Sequence, residues 1–159
     1  MSIASKVKIL ASLLTEKEQK LALAESCTGG MLAQFCTNLS GSSSWFERGF
    51  VTYSNLAKQQ MLGIDPQLIQ THGAVSKEVV QAMALGAINN SIADFAVAIS
   101  GVAGPTGGSA DKPVGTVYFG LAQRAKKIEY RHQLFNGSRF EIRKLSCEFA
   151  LEQLIKFVS

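Results

Sequence analysis

A serine, a lysine and a tyrosine are the residues whose positions in this sequence suggest chemistry. Ser26 follows the apolar run Leu21–Glu25 and precedes Cys27, Thr28, Gly29 and Gly30, so it falls where a strand hands over to a helix. Ligands of open α/β sheets bind at that edge. Glycines there let the backbone approach a ligand, and the first N–H groups of a helix lack intrahelical partners. Ser26 or Thr28 in such a place is a helix cap, or Ser26 is a nucleophile whose oxyanion is held by N–H groups at or near Thr28, Gly29 and Gly30. Local sequence leaves both readings open. Cys27 is a rival nucleophile without a histidine close by, and packing is its simpler role.

A serine nucleophile needs a base, and neither His72 nor His132 stands in a triad context. Tyr53 ends a second strand-like run, and Lys58 lies five residues further on, early in the next helix. A lysine in an apolar pocket loses its proton more readily and can serve as base to serine. Tyr53 would relay or orient that proton; the plain alternative for Lys58 is a solvated helix lysine. A glycine-rich segment, with Gly101, Gly104, Thr106, Gly107 and Gly108, follows a third apolar strand. Such a loop can turn N–H groups toward phosphate or carbonyl oxygens, or simply connect strands. No Gly-Lys-Ser or Gly-Lys-Thr follows, so it is not a P-loop. Arg139 and Arg143 stand four apart on the last helix, a spacing that would suit a phosphate monoester, although surface arginines are common.

The elements that must position these groups follow from periodicity. Ile3, Val7, Leu10, Leu13 and Leu14 predict an amphipathic first helix. A buried strand is expected over Lys20 to Glu25, a helix from about Thr28 to Leu39, and a strand over Phe50 to Tyr53. Ser54 or Asn55 caps a short helix carrying Lys58, Asp65-Pro66 starts another, and Ser76 introduces a longer one to about Asn90. Asp94 to Ser100 is a strand covered on both faces, Val114–Gln123 and Ile128–Phe135 form a hairpin, and a helix from about Arg139 to Phe157 closes the chain. The sum is a single three-layer α/β/α domain over residues 1–159, with a mixed central sheet.

Composition narrows the function. The charge of +4 is mild and its basic residues are scattered, which argues against a nucleic-acid partner and leaves an anionic small molecule. No apolar run approaches membrane-spanning length. Cys27, Cys36 and Cys147 make no disulfide pattern and Met1–Lys6 carries no signal peptide, so a reducing cytoplasm is expected. Metal-ligand spacing is absent, and neither a metal nor another cofactor is expected.

Four stretches resemble the CinA C-terminal domain family in the same order: AESCTGG at Ala24–Gly30, GSSSWFERGFVTYSNLAK at Gly41–Lys58, HGAVSKEVV at His72–Val80, and the segment from Ser100 to Phe119. The resemblance runs from Leu21 to the final helix. It implies hydrolysis of the carboxamide of nicotinamide mononucleotide, in pyridine nucleotide salvage, without a metal. It also implies Ser26 as nucleophile, Lys58 as base and Tyr53 beside them, with Ser43, the glycine-rich loop and the Arg139–Arg143 pair on the substrate. Two readings stay beside it: a nucleotide-binding paralogue without activity, and a serine–lysine hydrolase of another small amide. The family often has an acid before its first arginine where this chain has Ser138, and the N-terminal domain of full-length CinA proteins has no counterpart here. A homo-oligomer is expected.

Overall fold

The computed structural model describes residues 1–159. Five strands form one mixed sheet in the order β2-β1-β3-β4-β5. They are β1 (Leu21–Glu25), β2 (Phe46–Val51), β3 (Phe95–Gly101), β4 (Thr116–Gln123) and β5 (Lys127–Leu134). β1 runs parallel to both β2 and β3, whereas β4 is antiparallel to β3 and to β5. The helices are α1 (Ile3–Glu16), α2 (Met31–Thr37), α3 (Asn55–Leu62), α4 (Pro66–His72), α5 (Lys77–Asn89) and α6 (Arg139–Val158). The expected three-layer α/β/α arrangement with a mixed sheet is the one observed. No helix is long and apolar enough to cross a membrane.

The two faces of the sheet are built differently. Leu21, Leu23, Val97, Phe119 and Leu121 meet α1, α2 and α6 in the larger apolar cluster. The opposite face is nearly all alanine: Ala22, Ala24, Ala96, Ala98 and Ala122 pack against Val79, Val80, Met83 and Ala84 of α5. Small side chains let α5 settle close to the strands, and at Gly120 a Cβ would collide with the carbonyl of Val80. α3 and α4 pack beside α5 on this alanine-lined side.

Most expected elements occur within a few residues of their predicted ends. The exceptions lie next to the candidate site. α2 starts at Met31 rather than at Thr28, because Gly29 and Gly30 take positive φ values of 56° and 98° and hold residues 26–30 out of the helix. β2 starts at Phe46, earlier than its composition suggested, and ends at Val51.

Candidate active site

Ser26 stands one residue past β1, at the carboxyl edge of the parallel strands. Its N–H donates to the Ile99 carbonyl of β3 at 2.9 Å, which fixes the residue to the middle of the sheet. Side chains alternate along a strand. Leu21 and Leu23 face the larger cluster and Ala22 and Ala24 the alanine side, so Glu25 and Ser26 separate to opposite faces. Glu25 turns toward α2, where its carboxylate accepts the N–H groups of Leu32 and Ala33, each at 3.0 Å. The helix is therefore capped by the last residue of the strand. Gly30 occupies the N-cap position and has no side chain to offer, and neither Ser26 nor Thr28 caps α2 with its hydroxyl.

Lys58 comes to Ser26 from the neighbouring strand connection. The Thr52 N–H donates to the Glu25 carbonyl at 2.8 Å, extending the β1–β2 pairing past its last residues. Ser54 then caps α3, accepting the Ala57 N–H at 3.0 Å, and this places Lys58 inward in the first turns of the helix. Its Nζ lies 3.0 Å from Ser26 Oγ, 3.0 Å from the Thr52 carbonyl and 3.4 Å from the Tyr53 carbonyl. Lys58 is 1% exposed and Ser26 8%. Burial holds the Lys58 amine below the ordinary lysine range. Three neighbours around an amine have a chemical meaning. A neutral amine held so would satisfy the two carbonyls with its two N–H bonds and turn its lone pair to the serine hydroxyl.

Cys27 offers no comparable nucleophile. Burial pushes its thiol up to about 11, and Cys36 up to about 12, so neither is a thiolate near neutrality. Both histidines line a different depression with Lys77 and Lys112.

The turn after Ser26 has its carbonyls occupied from behind. Gly29 N–H bonds the Ser26 carbonyl at 3.1 Å and Met31 N–H the Thr28 carbonyl at 2.9 Å. Arg143 donates through Nε to the Cys27 carbonyl and through an Nη to the Thr28 carbonyl, both at 3.0 Å. The N–H groups of Cys27, Thr28 and Gly30 have no backbone acceptor in the chain, and the Cys27 N–H faces its own thiol. The Gly29 N–H is thus spent inside the turn, whereas the Cys27 N–H, next to Ser26, has no backbone acceptor. Thr28 is fully buried, and its hydroxyl has no partner.

Arg139 and Arg143 do not act as a pair. Arg143 holds the turn, whereas Arg139 donates to the Gly104 carbonyl at 2.8 Å and to the Tyr53 hydroxyl at 2.9 Å. Tyr53 touches Lys58 through its backbone carbonyl, while its side chain, 61% exposed, leans on Arg139. A depression of about 340 Å³ is lined by Cys27, Tyr53, Gly101, Gly104, Thr106, Gly107 and Arg139; it reaches Ser26 through its neighbour Cys27, and neither Ser26 nor Lys58 lines it. Gly108 lies in the same loop but packs its backbone against Val114. Ser43 sits in a short 3-10 turn before β2, at the amino edge of the sheet, so the whole length of β2 separates it from Lys58 and Ser26 within one chain. Sequence reasoning missed Glu25 as the α2 cap and Arg143 as the clamp of the turn. An acid directly before the strand-end serine was the one available signal for the first.

The family model of the CinA C-terminal domain matches residues 3–158. Nicotinamide-nucleotide amidohydrolase PncC of Enterobacter agglomerans is 46% identical over 147 residues, covering 92% of this chain and 90% of that protein. The protein of the same name from Escherichia coli K12 is 52% identical over 131 residues, covering 82% and 79%. A CinA-like protein of Geotalea uraniireducens is 48% identical, but the match covers only 35% of its length. Among solved structures, competence/damage inducible protein CihA from Agrobacterium tumefaciens superposes with a TM-score of 0.96 at 40% identity, over all of both chains.

Proposed function

The chain belongs to the CinA C-terminal domain family, and from that premise we propose that it hydrolyses the carboxamide of nicotinamide mononucleotide to nicotinate mononucleotide and ammonia. Relatives bearing the name nicotinamide-nucleotide amidohydrolase, at 46% and 52% identity over most of the chain, support an amide hydrolase of pyridine nucleotide salvage. The observation that carries the mechanism is the buried 3.0 Å contact between Lys58 and Ser26 beside the glycine-lined depression.

In the reaction, neutral Lys58 takes the proton of Ser26 as Oγ forms a bond to the carboxamide carbon. Negative charge collects on the carboxamide oxygen, and the N–H groups of Cys27, Thr28 and Gly30, which have no backbone acceptor, are the donors offered to it. The C–N bond then breaks. Lys58 returns its proton to the departing nitrogen, which leaves as ammonia, and Tyr53 orients the exchange from its place between Lys58 and Arg139. Water, activated by the same amine, attacks the acyl-serine and releases the carboxylic acid. Arg139 has guanidinium N–H groups beyond the two used on Gly104 and Tyr53, and it lines the depression, so it is the cation offered to the substrate phosphate. Gly101, Gly104, Thr106 and Gly107 contact the rest of the nucleotide. Unpaired Cys27, Cys36 and Cys147 suit a reducing compartment.

Ammonia release from the mononucleotide by purified protein, with EDTA present, tests the reading. Ser26→Ala is expected to lose at least a hundredfold or so in turnover, by comparison with the cost of removing a single oxyanion donor. Near-normal turnover of that variant would sink the covalent mechanism.

A further inference from the structure

The guanidinium of Arg143 lies behind the turn that carries Ser26. Its two bonds reach the Cys27 and Thr28 carbonyls at 3.0 Å each, and it packs against Gly29, where a Cβ would stand 3.5 Å from its Nη2. From the Thr28 carbonyl a continuous chain of peptide units leads back to the nucleophile. The Thr28 carbonyl and the Gly29 N–H belong to one peptide unit, and that N–H donates to the Ser26 carbonyl at 3.1 Å. The Ser26 carbonyl in turn shares its peptide unit with the Cys27 N–H, which has no backbone acceptor, faces only its own thiol, and belongs to a residue that lines the depression. A cation donating into one end of such a chain strengthens the donor at the other, by roughly 10–30% per bond. The two bonds also fix the turn in one geometry, as a rigid guanidinium fork does and an ammonium does not.

We propose that Arg143 is a positioning residue for the oxyanion: it clamps the turn and, through the Thr28–Gly29 and Ser26–Cys27 peptide units, polarises the Cys27 N–H that meets the developing negative charge. The same charge is felt at the Cys27 thiol, where it opposes the larger effect of burial. The sequence pairs Arg143 with Arg139 for a phosphate; the geometry instead gives it a part in the chemical step. The inference rests on serine attack as set out above.

Arg143→Ala tests it. The variant is expected to lose about tenfold or more in kcat, with KM for the mononucleotide changed less than about twofold. The loss should be equal for nicotinamide riboside, which has no phosphate. Guanidinium ion at low millimolar concentration should restore kcat, and urea, which has the same donor fork without the charge, should not. Arg143→Lys, which keeps the charge and loses the fork, should fall between and guards against misfolding of the alanine variant. A KM rise confined to the phosphorylated substrate overturns the proposal in favour of phosphate binding, and equal rescue by urea overturns the role of the charge. Wild-type protein that releases no ammonia from the mononucleotide removes the proposed substrate instead. In that case, acylation of Ser26 by p-nitrophenyl acetate, which passes through the same oxyanion, decides the inference: the variants slow it if the proposal holds and leave it unchanged if not.

Discussion

Lys58, the base of the proposed mechanism, is buried at a cost to the fold. A buried amine whose pKa is lowered by burial holds fewer protons in the folded chain than in the unfolded one. Stability therefore rises with pH between the lowered folded value and the ordinary lysine value near 10.4, and is least below that window. Lys58→Met keeps the volume and removes this cost. It should abolish ammonia release while raising Tm by roughly 2–4 °C, the shift that about 1 kcal/mol produces in a chain of this size. Wild-type kcat should climb with pH as Lys58 loses its proton, with a midpoint below about 10.4, and a flat profile would remove the lysine from the role of base. Cys27 is expected to resist iodoacetamide at neutral pH, since its thiol is held at about 11. The Ser26–Lys58 pair was legible in the sequence because strand ends and caps leave marks: an apolar run, paired glycines, a capping serine. The work of Glu25 and Arg143 was not. Both bind backbone atoms, which every residue carries, so no spacing of residue types announces them.

At the level of elements, the strand-to-helix turn depends on Glu25 in a way no local propensity describes. A seven-residue helix without a capping side chain at its N-cap borrows its cap from the preceding strand. Glu25→Ala leaves the Leu32 and Ala33 N–H groups without their acceptor at a buried site. Bonds to a charged acceptor contribute roughly 1.5–3 kcal/mol each, so for the two of them a Tm loss on the order of 6–24 °C is expected by calorimetry, about 2–4 °C for each kcal/mol. The alanine face makes a separate demand. Gly120→Ala drives a methyl group into the Val80 carbonyl and should lift α5 from β4, destabilising the fold without touching Ser26 or Lys58. Helix and strand identities were readable from period alone, whereas the late start of α2 was not. It depends on positive φ values at both Gly29 and Gly30, and two glycines in sequence permit that conformation without requiring it.

Across the whole molecule, the order of the strands was the part hidden from the sequence. Periodicity identifies strands but not their neighbours, and β2 and β5 emerge as the two edges. On β5, Ile128, Tyr130 and Leu134 are 39%, 42% and 55% exposed on one face, next to an open edge. Edges of that kind pair with others. A homo-oligomer that joined two β5 strands antiparallel about Tyr130 would set Glu129 of each copy against Arg131 of the other, and light scattering would then give a mass above the 17.1 kDa of one chain. Tyr130→Cys should cross-link that dimer, and a strictly monomeric protein would refute the pairing.

The other edge bears on how the enzyme fails. Ser26 directly follows a strand paired on both sides, while Lys58 hangs from α3, beyond β2, which has a neighbour on one side only. Edge elements open at lower free energy than the centre of a sheet. Under the proposed mechanism, inactivation should therefore be a two-stage event, with Lys58 swinging away while Ser26 is still seated. In rising urea, ammonia release should fade before the far-UV dichroism does, and dilution should bring it back at once.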